Sequence, residues 1–257
     1  MDLGLSGKVA LVLGSTAGLG RASAEALAAE GAHVVVAGRR AELVDELAGA
    51  LPSAAGVVVD LTDPDAPTTL VAHAVEAFGP VDVVVLNGGG PPPGTADGFT
   101  ADDAQAAVDL LLTQHVRLVG EVLPGMRERG WGRILAVGSS GVRQPIPTLT
   151  ASNVGRAALA AYLKTLAGTV AGDGVTVNMV LPGRIDTDRV AQLDRAAADR
   201  GGTTPEAART SSEATIPAGR YGTPAEFGSV VAFLASQQAG YVTGEQVRVD
   251  GGLVRAY

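Results

Sequence analysis

KVALVLGSTAGLG, residues 8–20, is an apolar run that breaks off into a glycine-rich turn. The run from Lys8 to Leu13 shows no polar alternation, which suits a strand covered on both faces, as in a parallel sheet. Gly14, Gly18 and Gly20 then form G-x-x-x-G-x-G, and a helix is expected from about Leu19 to Glu30, stopped by Gly31. Glycine permits the tight turn and lets backbone amides approach a phosphate at the positive end of the following helix. A glycine triplet alone is a weak signal in a chain with 35 glycines. Its position between a strand and a helix is what gives it weight over a plain tight turn.

The same unit repeats outward from this turn. Strand Val34–Ala37 is followed by helix Ala41–Leu51, strand Val57–Val59 by helix Pro64–Phe78, and strand Val81–Leu86 by the loop Asn87–Gly98. Thr100 and Asp103 read as a capping box opening a helix to about Arg129, ended by Gly130. Strand Arg133–Val137, a helix over Leu149–Ala167 and strand Val175–Val180 complete the regular part. Alternating strands and helices imply right-handed crossovers. The expected architecture is α/β, a single-domain Rossmann-type doubly wound parallel sheet over residues 1–257. The stretch Arg184–Tyr221 is the least regular, polar, Ala-rich and broken by Gly201, Gly202 and Pro205, and it reads as a mobile substrate lid.

Bulk properties narrow the function. An apolar content of 46% supports a sizeable core, and a net charge of −8 argues against nucleic-acid and anionic-membrane partners. The absence of cysteine excludes disulfides and thiolate metal sites. The start, MDLGLSGKVALVLG, has no charged segment leading into a long apolar one, and no run is long enough to span a bilayer, so a cytoplasmic protein is expected. His33, His73 and His115 fall one per element, as surface or interface residues rather than a metal-ligand set. Trp131 reads as packing before its strand, and Asp186 and Asp188 as favouring a helix start.

A second group of residues points to a dinucleotide. Where the second strand ends, many NAD binders carry a carboxylate for the ribose hydroxyls; this chain has Gly38, then Arg39 and Arg40. Two guanidiniums with no opposing carboxylate favour NADP(H) over NAD(H), against the plainer reading of solvated residues opening a helix. Asp60 after the third strand suits an adenine amine. Asn87, Gly88, Gly89 and Gly90 after the fourth leave room for a ribose, at the carboxyl ends of strands where such sheets bind ligands.

With GSTAGLG at residues 14–20, LNGGG at 86–90, PGRIDT at 182–187 and YVTGEQVRVDGG at 241–252, the chain resembles the short-chain dehydrogenase/reductase family over essentially its whole length. It is most similar to the branch of 3-oxoacyl-carrier-protein reductases and their relatives. The resemblance implies that Gly14, Ser15, Thr16, Gly18, Leu19 and Gly20 form the pyrophosphate turn. It sets Asp60 and Leu61 at the adenine, Asn87, Gly88 and Gly89 beside the ribose, and Pro182, Gly183, Ile185 and Thr187 at the nicotinamide. It also implies a small carbonyl or alcohol substrate and a homodimer or homotetramer. Helices around His115 and Tyr162 and the strand Gln246–Asp250 would form the interfaces.

The family's catalytic set is Ser, Tyr and Lys, the last two as Y-x-x-x-K on one helical face, so that the ammonium acidifies the phenol. Aligned on that pattern, Ser139 takes the serine's place, Ser152 the tyrosine's and Arg156 the lysine's. Ala157, Ala158 and Leu159 keep the register, and Leu111 falls where a helper Asn usually stands. A serine hydroxyl is shorter and far less acidic than a phenol, and arginine stays protonated. The expectation is an oxidoreductase with an altered proton route, or else a cofactor-binding sensor or partner subunit, or a non-redox enzyme. Tyr162 and Lys164 do not share the face of Ser152 and suit an interface. Arg143 and Gln144 lie nearer the substrate, as either loop or site residues.

Overall fold

A computed structural model describes residues 2–256. In chain order the elements are β1 (Val9–Val12), α1 (Gly18–Ala29), β2 (His33–Gly38), α2 (Ala41–Ala50), β3 (Ala54–Val58), α3 (Ala66–Phe78) and β4 (Val83–Leu86). There follow α4 (Ala101–Val108), α5 (Gln114–Glu128), β5 (Gly132–Val137), α6 (Thr150–Val170), β6 (Val175–Pro182), α7 (Asp188–Gly201), α8 (Pro205–Glu213), α9 (Pro224–Ala235) and β7 (Gln246–Val249). The seven strands form one sheet, ordered β3-β2-β1-β4-β5-β6-β7, with every pairing parallel. The order reverses between β1 and β4, and a ligand crevice opens there, beyond the strand ends.

Side chains alternate between the two faces of the sheet. In β1, Ala10 and Val12 join a cluster with Leu27 of α1 and with Phe227 and Val231 of α9. Their neighbours Leu11 and Leu13 pack on the opposite face with Leu70 of α3, Leu118 of α5 and Leu159 of α6. Burial on both faces explains why these strands carry unbroken Val, Leu and Ala. Helices α1 and α9 touch closely at Gly228, where a Cβ would come within 2.5 Å of the Ala22 carbonyl oxygen. Among the described residues no helix is long and apolar enough to cross a membrane.

Several sequence expectations shift. Strand β3 begins three residues early, at Ala54, because the chain pairs with β2 as soon as α2 ends, through the Ser53 carbonyl and the Val34 amide. The expected helix from Thr100 opens with its capping box but is divided by a π turn, Asp109–Thr113, between α4 and α5. Residues 184–221 are more regular than their composition suggests. Thr187 caps α7 through the Val190 amide, Gly202 (φ +60°) ends it, and Thr204 with Pro205 starts α8. The two ends of this stretch are tied together: Asp186 N–H donates to the Gly222 carbonyl, and Gly222 N–H to that of Arg184.

Two side chains also depart from expectation. His115 is 3% exposed, not a surface residue, and burial, then the neighbouring Arg156 charge, push its pKa down to about 4. Neutral, its Nδ1 donates to the Leu111 carbonyl at 3.0 Å. Asp186 accepts two hydrogen bonds from Arg209 of α8, at 3.1 and 3.0 Å, rather than serving the start of α7, which Asp188 occupies. Trp131 does pack before β5, between the Lys8 ammonium (4.0 Å) and the Arg133 guanidinium (4.4 Å).

Candidate functional site

One cavity of about 900 Å³ opens beyond the carboxyl ends of β1, β4, β5 and β6. Its floor is the glycine turn. Gly14 (φ +54°) and Gly18 (φ +54°) hold left-handed backbone, and a Cβ on Gly20 would lie 2.2 Å from the Gly14 carbonyl. Ser15 is fully buried, its hydroxyl accepting from the Ala37 amide at 2.8 Å, so it anchors the turn to β2. Asn87 Nδ2 donates to the Leu13 and Gly14 carbonyls, fixing the turn to β4. Ala17, the residue before α1, gives no side-chain cap, and the first turn holds no acid. The orphan amides and positive dipole end of α1 therefore remain free for an anion.

The cavity gathers Gly14, Gly18, Leu19, Arg40, Asn87, Gly88, Gly89, Ser139, Ser152, Arg156, Pro182, Gly183, Ile185 and Thr187 from the expected set. Ser15, Thr16, Gly20, Arg39, Asp60 and Leu61 stand outside its lining. Arg40 Nη2 reaches Thr16 Oγ1 at 3.4 Å, while Arg39 lies 3.9 Å from Asp60 Oδ2. The Asp60 carboxylate accepts from the Thr62 amide and hydroxyl, both at 2.9 Å, which hold its pKa low.

At the other end, α6 presents Ser152 and Arg156 on one face. Its start is clamped by Gly94, whose amide donates to the Thr148 carbonyl and whose carbonyl accepts from Thr150. Asn153 binds the loop after Ser139, donating to the Ile146 carbonyl at 2.9 Å. Gly155 lets α6 press onto the π turn, since a Cβ there would come 2.8 Å from both the Ala107 carbonyl oxygen and Leu111 Cδ1. Leu111 itself is 1% exposed and apolar, a packing residue in this geometry.

Arg156 is 9% exposed. Its Nη1 donates to the Val137 carbonyl of β5 at 2.5 Å and its Nε to Ser152 Oγ at 3.3 Å. Burial, then the nearby positive charge of Arg189, push its pKa down to about 10, so it remains a cation at neutral pH. Ser139 Oγ accepts from the Gly141 amide at 3.0 Å. Gln144 lines the cavity and Arg143 does not. Tyr162 is half-buried against the α3, α5 and α6 core, and Lys164 donates to the Gly244 carbonyl at 2.8 Å, so both face away from Ser152.

Sequence reasoning missed the wall supplied by α7. Arg189, Leu193, Ala197 and Arg200 line the cavity at i, i+4, i+8 and i+11, one helical stripe. That stripe was present in the sequence, where Asp186 and Asp188 marked only a helix start and the low apolar content hid the length and lining face of the helix. The wall hangs on a small network: Tyr221 O–H donates to Asp194 at 2.9 Å, and Arg209 stacks on the Tyr221 ring at 4.6 Å.

A family model described as enoyl-(acyl carrier protein) reductase matches residues 14–254. The 3-oxoacyl-[acyl-carrier-protein] reductase of Vibrio cholerae is 35% identical over 98% of this chain and 99% of its own length. The chain belongs to the short-chain dehydrogenase/reductase family. Within that family, dehydrogenase/reductase SDR family member 4 of Bos taurus is 36% identical over 96% of this chain and 88% of its own. The L-sorbose reductase of Gluconobacter frateurii, solved with NADPH and L-sorbose, superposes with a TM-score of 0.94 over all of both chains at 33% identity.

Proposed function

We propose that the protein is an NADP(H)-dependent oxidoreductase acting on a small carbonyl or alcohol substrate through an altered proton route. The observation that carries this is the single cavity joining the glycine turn, Asn87–Gly89 and Pro182–Thr187 to Ser139, Ser152 and Arg156. A family membership that includes an NADPH-bound reductase at 33% identity supports the cofactor assignment. The uncapped start of α1 fits a pyrophosphate, and Arg40, open to the same cavity with no acidic partner among the described residues, fits a 2′-phosphate and favours NADP(H) over NAD(H). Asn87 and Gly89 would take the adjoining ribose, Ile185 and Thr187 the carboxamide. When bound, the cofactor gives or accepts a hydride at its nicotinamide.

In this reading Ser139 and Ser152 stand where the family's serine and tyrosine stand, and hydrogen-bond the substrate oxygen. Arg156, in the lysine's place, holds Ser152 and supplies fixed positive charge beside that oxygen. Because it stays protonated, it does not relay protons, and the proton comes from solvent. Loss of a positioned general acid costs about 10²–10⁴ in rate, so slow turnover is expected. The stretch 184–221 acts as the substrate lid, and the chain works as a homodimer or homotetramer in the cytoplasm.

Single-turnover mixing of NADPH-loaded protein with a ketone panel tests the reading by absorbance at the dihydronicotinamide band. Tight NADPH binding with no oxidation across the panel would refute it. The double change Ser152→Tyr with Arg156→Lys should raise ketone reduction by about 10²-fold or more. The second reading, a cofactor-responsive sensor, is favoured by one observation: among the described residues, the cavity lining contains no Tyr, Lys, His or Glu. It predicts partner binding that changes with NADPH.

A further inference from the structure

The substrate end of the cavity carries more positive charge than the protein neutralises. Arg156 and Arg189 both line it, and neither has an acidic partner within 4 Å among the described residues. Arg156 is nine-tenths buried; its Nε and Nη1 are committed to Ser152 and Val137, and its Nη2 has no acceptor among the described residues. A buried guanidinium with spare donors is costly unless an anion meets it. Arg189, an exposed residue of α7, reaches the same cavity, its Nη2 donating to the Pro91 carbonyl at 3.1 Å. It stands in the first turn of α7, where a cation opposes the helix dipole, so its charge does not serve the helix. Asp188, the one carboxylate of the lining among the described residues, pairs with neither.

We propose that Arg156 and Arg189 together form a carboxylate subsite, so that the substrate is a short carbonyl compound bearing a carboxylate near its carbonyl carbon. Two guanidiniums from α6 and α7 in one cavity suit one carboxylate, with an N–H from each. The apolar residues Ile146, Leu149 and Leu193 of the same lining suit a short aliphatic chain. This rests on the reductase reading only for the carbonyl; the anion site stands on the arginines.

The test compares pyruvate and acetoacetate with their methyl esters. With NADP⁺-loaded protein, isothermal titration should show each acid binding at least tenfold more tightly than its ester, and Arg189→Leu should bring that ratio towards one. Arg189→Lys should restore part of it, and an unchanged melting temperature shows that the fold is intact. Equal binding of acid and ester would overturn the subsite. So would an Arg189→Leu protein that loses NADP⁺ affinity and shows no change in acid preference, since the charge would then belong to the cofactor phosphates. Acid-selective binding without NADPH oxidation would keep the subsite and fail the reductase reading. Oxidation with acid and ester alike would do the reverse.

Discussion

Gly155 is the point on which the placement of Ser152 and Arg156 depends, and Gly155→Ala is the sharpest test of it. The added methyl would sit 2.8 Å from the Ala107 carbonyl oxygen, 2.8 Å from Leu111 Cδ1 and 2.9 Å from Leu111 Cβ. Leu111 can shift by a few tenths of an ångström, but the carbonyl is backbone, and α6 must move off the π turn. Overpacking costs about 1–3 kcal/mol, and because a backbone atom is met the upper part, about 2–3 kcal/mol, applies here. Replacing a helical glycine by alanine returns about 1 kcal/mol. The net expectation is a loss of about 1–2 kcal/mol, or roughly 2–8 °C in melting temperature for a chain of this size. Gly168→Ala on the same helix is the control: it is exposed, and a Cβ there meets nothing within 4 Å. It should gain about 0.4–1 kcal/mol. Thermal unfolding by circular dichroism reads both. A Gly155→Ala protein that melts at or above the parent temperature would show that α6 does not bear on the π turn as described.

His115 makes stability depend on acid. Its folded pKa of about 4 lies below the ordinary 6.5, so between those values the unfolded chain binds the proton and the native one does not. Stability should fall by about 3 kcal/mol as pH drops from 6.5 to 4, and His115→Asn should flatten that slope in urea titrations; an unaltered slope would refute the assignment. Arg40→Ser should weaken NADPH binding by about 10–100-fold while leaving NADH within about threefold, read by fluorescence titration. Breaking the Arg209 network with Arg209→Gln should cost under about 1 kcal/mol globally, because the Asp186 pair is solvent-exposed, yet speed proteolysis and hydrogen exchange in α8. Unchanged exchange there would mean that α8 is held by other contacts.

The sheet was readable because burial on both faces leaves no alternation to misread, and the Lys8–Gly20 stretch carries strand, turn and helix start in one piece. Of α7 only the start was marked, by Asp186 and Asp188, and α8 was not legible at all. Their apolar residues are few, and the caps that start them, Thr187 and Thr204, act through single hydrogen bonds. His115 was misjudged for a related reason: an isolated histidine gives no periodic signal, and its burial, with the Leu111 carbonyl as partner and Arg156 nearby, arises only in the folded chain. In the candidate site, Ser139, Ser152 and Arg156 could be found by spacing. Arg189 could not, since its partner in the cavity lies 33 positions away on another element, and nothing local marks that meeting.

The π turn at Asp109–Thr113 adds a residue beyond what a continuous α-helical rod from Ala101 to Glu128 would need. The surplus residue is absorbed within that one turn, which bulges towards α6 at Leu111, where Gly155 meets it. Removing one residue from the turn would yield a smoother helix and leave α4 and α5 near their present angular positions. It would also withdraw the bulge against which Gly155 packs. An otherwise silent one-codon deletion would thus straighten the helix while loosening the seat of Ser152 and Arg156.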